Sequence, residues 1–105
     1  MQAVLAIDEL PESSLDASTA FHSQHLASAR ALLEEPETSA LAIALPPAGP
    51  DHDDWRRALA RDLARAHTPK RVNVVGASGK AARNALLAYL GDAPGVTGQY
   101  LAGHD

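Results

Sequence analysis

Cysteine is absent from the sequence. Its absence excludes a disulfide scaffold, a thiol nucleophile and a metal site with thiolate ligands. It is also typical of proteins in a reducing compartment, so we expect a cytoplasmic protein. No apolar run approaches the roughly 18 residues of a membrane span, and the amino terminus lacks the basic segment of a secretory signal. We therefore expect no membrane partner.

Positive charge is scarce as well. Nine Lys and Arg residues stand against 13 Asp and Glu residues, which gives a formal net charge of −4. Nucleic acids attract basic surfaces, so we do not expect one as a partner. The 46% of hydrophobic and 21% of charged residues are typical of a globular chain and not of a disordered one. At 105 residues, the whole of 1–105 is predicted to form a single domain.

Short apolar runs alternate along the chain with stretches of helical periodicity. Continuous apolar runs are typical of strands buried on both faces. The strand candidates are residues 3–7, 39–45, 71–75 and 99–102, and the helix candidates are residues 16–35, 53–67 and 80–90. The order β-α-β-α-β-α-β predicts an α/β fold of about four parallel strands joined by three crossover helices, with right-handed connections.

Three segments in the second part of the chain resemble the carboxyl-terminal half of the short-chain dehydrogenase/reductase family. Residues 57–63 read RALARDL, residues 70–75 read KRVNVV, and residues 90–101 read LGDAPGVTGQYL. They occur in the family's order and at its rough spacing, and residues 3–45 fall where the family places its fourth strand, the next helix and its fifth strand. The resemblance implies a Rossmann-like partial domain.

The family's functional residues have no counterparts here. The half that carries its first three strands and Gly-rich dinucleotide loop is missing, and the Tyr-x-x-x-Lys region reads PPAGPDHDDW. Pro46 and Pro47 replace the catalytic serine, and Ala77 and Ser78 replace the cofactor-contacting Pro-Gly. In the family the tyrosine supplies the proton and the lysine lowers its pKa, so the general acid is missing. We therefore predict a degenerate, non-catalytic protein with no catalytic residues and no cofactor.

Such a protein is expected to act through protein association. The family strand that matches residues 3–7 is central, whereas here one side of it would be an exposed edge without proline, charge or glycine. The helices at residues 16–35 and 53–67 match the pair that the family commonly uses for a dimer. We expect a homodimer, with the helix faces favoured over the strand edge. A full-length dehydrogenase is the alternative partner.

Residues 76–80 form an alternative candidate site, for a nucleotide or a phosphate. Gly76 and Gly79 lie between a strand and a helix, where glycines let a phosphate approach the helix amino terminus. Lys80 would add a positive charge. The candidate cofactor-binding residues are therefore Gly76, Ser78, Gly79 and Lys80. The competing interpretation is a tight turn that needs glycine only for its backbone angles.

The other polar clusters predict no metal site. His22 and His25 offer two ligands where zinc needs three or four. The carboxylates of residues 51–54 are assigned to capping the second helix. On that helix, the predicted core positions are Trp55, Leu59, Leu63 and Ala66, and the predicted solvent face carries Arg56, Arg57, Arg61 and Arg65.

Overall fold

The computed structural model describes residues 1–104 as one parallel sheet of four strands, in the order β1-β2-β3-β4, with helices on both faces. The strands are β1 Gln2–Ala6, β2 Ala40–Leu45, β3 Arg71–Ser78 and β4 Tyr100–His104. The helices are α1 Ser14–Gln24, α2 Leu26–Glu34, α3 Asp53–Ala66 and α4 Lys80–Gly91, and a 3-10 turn at Pro50–His52 precedes α3. The predicted α/β, Rossmann-like partial fold with four parallel strands is confirmed.

The first connection contains two helices where one helix was predicted. The chain leaves helical geometry at His25, whose φ and ψ are −125° and −18°. Before this break, Phe21 packs against Trp55 of α3, with ring centroids 6.2 Å apart. After it, Ala29 and Leu33 are buried in the core where α2 lies against β1 and β2. Because of this break, α1 packs against α3 while α2 packs against β1 and β2.

The third connection passes over the opposite face of the sheet from the first two. Residues of α1, α2 and α3 share one core with Leu41 and Val72, whereas α4 packs on the other face against Ala42 and Val75. Because the strand order advances in one direction, the third connection has the opposite hand. The prediction that all connections are right-handed is wrong. The physical reason is that α3 already covers β3 and reaches β4 on the first face.

Asn73 ties β3 to the segment that leads into β4. The side chain is 2% exposed; its Nδ2 donates to Val96 O at 2.9 Å and its Oδ1 accepts from Gln99 N at 3.1 Å. Beside it, Val72 N donates to Thr97 Oγ1 at 3.0 Å. The two segments that read RVN and VTGQ are therefore joined directly by hydrogen bonds. This explains why these residue types occur together in one chain.

The buried side of α3 is shifted from the predicted one. Leu59 and Leu63 lie in the core as predicted, and Trp55 packs against it half-buried, but Ala66 is exposed. Arg56, predicted for the solvent face, is 1% exposed. Arg56 occupies a position whose helical spacing is that of a core residue. Because its side chain is charged, the sequence pattern assigns it wrongly to the solvent face.

Replacing Leu63 by alanine tests the packing of α3 on the sheet. Leu63 is 5% exposed, so Leu63→Ala is expected to lower the free energy of unfolding by about 2–5 kcal/mol. Urea denaturation measures the change. The matched control is Leu15→Ala, since Leu15 is 78% exposed and its loss should change stability by no more than about 0.5 kcal/mol. Equal effects of the two substitutions would contradict the packing.

Candidate functional site

Two adjacent cavities open at the carboxyl edge of the strands, where open α/β sheets commonly bind ligands. The larger, the Arg56 cavity, has a volume of about 600 Å³ and is lined by residues 8–12, 46–49, 51, 52 and 56. The smaller, the Gly79 cavity, has a volume of about 370 Å³, and its lining includes Ala77, Gly79, Lys80 and Arg83. Asp8, Pro46 and Pro47 lie on both, so the segments after β1 and β2 form the shared wall.

Arg56 is the buried cation of this region. Its Nη1 donates to Tyr100 Oη at 3.2 Å and its Nη2 donates to Pro46 O at 2.9 Å, while Nε has no hydrogen-bond partner among the described residues. Within residues 1–104, no carboxylate lies within 4.0 Å of the guanidinium. Its Cζ lies 5.5 Å from the centroid of the Trp55 ring and 5.7 Å from that of Tyr100. These ring faces supply part of the stabilisation that a carboxylate would otherwise give.

Gly76 leaves the space that Arg56 and Tyr100 occupy. A Cβ at this position would overlap Tyr100 Oη and lie 2.7 Å from Arg56 Nη1, so a side chain would displace both groups. Gly76 lies inside β3, opposite Ala102 of β4. The need for glycine here therefore comes from the close approach of two side chains to the backbone.

The four candidate residues of the predicted phosphate loop do not all line one cavity. Because β3 continues through Ser78, which is opposite His104, the predicted turn is reduced to Gly79, with φ 107° and ψ 142°. Gly79 and Lys80 line the Gly79 cavity, whereas Gly76 and Ser78 do not. The structure thus brings two of the four residues to a cavity. Ligand binding there stays a prediction.

His52 is a buried residue of the site that the sequence analysis missed. It is 4% exposed, and its Nδ1 accepts a hydrogen bond from Trp55 Nε1 at 3.2 Å. Because an indole nitrogen can only donate, Nδ1 carries no proton, and Nε2 donates to Glu12 O at 2.9 Å. This neutral imidazole joins the segment after β1 to the start of α3. The only sequence signal was its position before a helix.

The predicted acidic caps pair with arginine instead. Asp53 and Asp54 lie in the first turn of α3 and each approaches Arg57 at 3.7 Å, and no side chain caps that helix by a hydrogen bond. His22 Nδ1 contacts Ser18 O at 2.7 Å, within its own helix. No set of three or more His, Asp or Glu side chains in the described part of the chain is grouped to hold a metal ion.

The two lysines lie at different ends of the fold. Lys70 precedes β3 and donates from Nζ to the carbonyls of Leu33 and Glu35, so it closes the carboxyl end of α2. Lys80 begins α4 at the carboxyl edge of the sheet. Over residues 1–104, none of the helices is long and apolar enough to cross a membrane.

Comparison with known proteins agrees with this architecture. Neither a search of curated proteins nor a search of solved structures finds a match. A family model described as a short chain dehydrogenase-like protein matches residues 5–103, which include the last two residues of β1 and nearly all of β4. The resemblance in the RALARDL, KRVNVV and VTGQ segments is therefore confirmed, and the chain belongs to the short-chain dehydrogenase-like family.

Proposed function

We propose that the protein is a non-catalytic member of this family that acts by associating with another protein chain, in the first place a second copy of itself. The observation that carries the proposal is the exposed edge of β1. This strand is the outermost of the sheet, so its outer backbone groups have no strand partner within residues 1–104. A regular edge of this kind can add a further strand from another chain.

The apolar character of the edge supports the same proposal. Ala3 and Leu5 pack into the first core, while Val4 faces the other side of the sheet and is 43% exposed. Met1, which precedes the strand, is 71% exposed. Strand edges that stay unpaired usually carry a charge, a proline or a bulge, and β1 has none of these.

The outer faces of the helices offer less support for association. Ala29 of α2 faces the core and is fully buried, so it is not available for a contact at the surface. On α3, Arg57, Arg61 and Asp62 are exposed and engaged in ion pairs with neighbouring side chains. Separating such charges from water costs more than covering an apolar strand. We therefore favour the β1 edge over the helix faces as the interface.

The non-catalytic part of the proposal is supported by the positions of the tyrosines. Tyr100 Oη accepts a hydrogen bond from Arg56, and Tyr89 is 55% exposed on α4. No tyrosine–lysine hydrogen bond occurs among the described residues. A tyrosine acts as a general acid only when a neighbouring group stabilises its ionised form within reach of the substrate.

A reductase assay tests this part directly. The repurified protein is expected to show no oxidation of NADH or NADPH, followed by absorbance, with a panel of aldehydes and ketones, because no tyrosine–lysine pair is available to deliver the proton. An authentic short-chain dehydrogenase serves as the positive control. Turnover that stays proportional to the protein through successive purification steps would refute the proposal.

The oligomeric state tests the association part. Light scattering on the eluting peak, at tens of micromolar protein, is expected to give twice the chain mass of 11.0 kDa. Val4→Lys is expected to give the monomer mass, because the added charge would lie at the strand interface without a partner.

Leu15→Lys is the matched control, since it places the same charge on an exposed position of α1. It should leave the dimer intact. A wild-type mass near 11.0 kDa would contradict the homodimer and leave a heterologous chain, such as a full-length dehydrogenase, as the partner to test. Loss of the dimer with Leu15→Lys and not with Val4→Lys would instead assign the interface to the helices.

A second candidate function is the binding of a nucleotide or phosphate at the Gly79 cavity. The specific observation is that Gly79, Lys80 and Arg83 line one cavity at the amino end of α4, where helix N–H groups attract anions. If this function holds, NAD(P), a nucleotide or coenzyme A raises the melting temperature in a thermal-shift screen.

The matched variant for this second function is Gly79→Asp, which adds a negative charge at the cavity. It is expected to abolish the rise in melting temperature. A rise that persists in this variant, or no rise with any of these ligands, would contradict the second function.

A further inference from the structure

The guanidinium of Arg56 is a buried positive charge for which the described part of the chain supplies no contacting carboxylate. Arginine keeps its charge under all ordinary conditions, and a buried charge without a counter-charge is strongly unfavourable. Two hydrogen bonds to neutral oxygens and two aromatic faces offset part of this cost. The part of the unfavourable free energy that remains indicates that an anion binds next to Arg56.

The hydrogen bonds of Arg56 leave donors for such an anion. A guanidinium has five N–H donors, and within residues 1–104 only the contacts from Nη1 to Tyr100 and from Nη2 to Pro46 use them. Arg56 lines the Arg56 cavity together with Pro46, whose carbonyl accepts from Nη2. A carboxylate suits this position, because its two oxygens can accept parallel hydrogen bonds from one arginine.

The rest of the cavity has the opposite charge. Its lining includes the exposed carboxyl groups of Asp8, Glu9, Glu12 and Asp51. Four carboxylates repel a polyanion such as a nucleotide and attract a cation. The cavity therefore combines one buried positive group with several negative groups nearer to solvent. Its volume of about 600 Å³ lies in the ordinary range for small-molecule sites.

We propose that the Arg56 cavity binds a small zwitterion of the amino-acid class, with its carboxylate on Arg56 and its ammonium group towards the acidic lining. The uncharged wall between the two ends is formed by Leu10, Pro11, Pro47 and Ala48, which suit a short aliphatic chain. This site is separate from the β1 edge, and it shares with the Gly79 cavity only the wall formed by Asp8, Pro46 and Pro47. Its ligand differs from a nucleotide in carrying a single negative group.

Titration calorimetry with three matched compounds tests the proposal. The probe is ε-aminocaproate, which has a carboxylate and an ammonium group at opposite ends of an aliphatic chain. Caproate keeps only the carboxylate, and hexylammonium keeps only the cation. We expect saturable binding of ε-aminocaproate with one site per chain, and weaker binding of both caproate and hexylammonium.

Variants assign the two ends of the ligand. Arg56→Met is expected to weaken the binding of ε-aminocaproate by about tenfold or more, because it removes charge-assisted hydrogen bonds. It should still fold, since an apolar side chain of similar length replaces a buried charge. Arg57→Met, on the exposed side of the same helix, is the control and should bind as the wild type does.

The acidic end is tested by Asp8→Asn combined with Asp51→Asn, both at exposed positions. This variant should bind ε-aminocaproate more weakly and caproate more strongly, because it removes negative charge near the anion. Circular dichroism of every variant monitors folding, and if Arg56→Met does not fold, this acidic variant decides the test. The proposal is overturned by the absence of saturable ε-aminocaproate binding, by binding that Arg56→Met leaves unchanged, or by caproate binding that the acidic variant leaves unchanged.

Discussion

The position of β4 depends on the side chain of Asn73. Its amide bonds to Val96 and Gln99 on both sides of the turn at Gly98, and so it fixes where the last strand begins. Once β4 starts at Tyr100, that ring is placed diagonally opposite Gly76, and its hydroxyl meets the guanidinium of Arg56. The buried amide of Asn73 thus determines that Tyr100 is the partner of the buried Arg56 on α3. Because the nitrogen and the oxygen of a buried amide each need a hydrogen-bond partner, neither strand can shift in register without leaving polar groups unpaired.

The same constraint explains the unusual course of the third connection. The segment from α4 must arrive at the outer side of β3 with Thr97 and Gln99 facing Val72 and Asn73, while α3 occupies the first face. Only the second face is free for a helix of this length. Arg71 secures the path, since its Nη1 donates to the carbonyls of Leu90 and Ala93 at the end of α4. Hydrogen bonds from the first residues of β3 therefore stabilise a connection whose handedness is rare.

The sequence predicted the parts of the fold that follow from periodicity and local chemistry. Buried strands such as Ala40–Leu45, and the core leucines of α3, are visible as apolar patterns. The role of Arg56 was not visible, because its burial depends on a glycine and a tyrosine far along the chain. The break at His25 and the hand of the third connection likewise depend on which elements compete for one face of the sheet. Such competition arises only from tertiary packing, so no local sequence pattern indicates it.

At the carboxyl edge of the sheet, residues that differ from the family pattern hold Arg56 and the wall beside it. Pro46 stands where the family resemblance places a serine, and its carbonyl accepts from Arg56. A proline offers no hydroxyl for catalysis, yet its carbonyl is a fixed acceptor that helps to hold a buried cation. His52 closes the neighbouring wall in its neutral form through two hydrogen bonds that leave it no free nitrogen. The carbonyl of Pro46 and the ring of His52 thus hold Arg56 and the wall beside it.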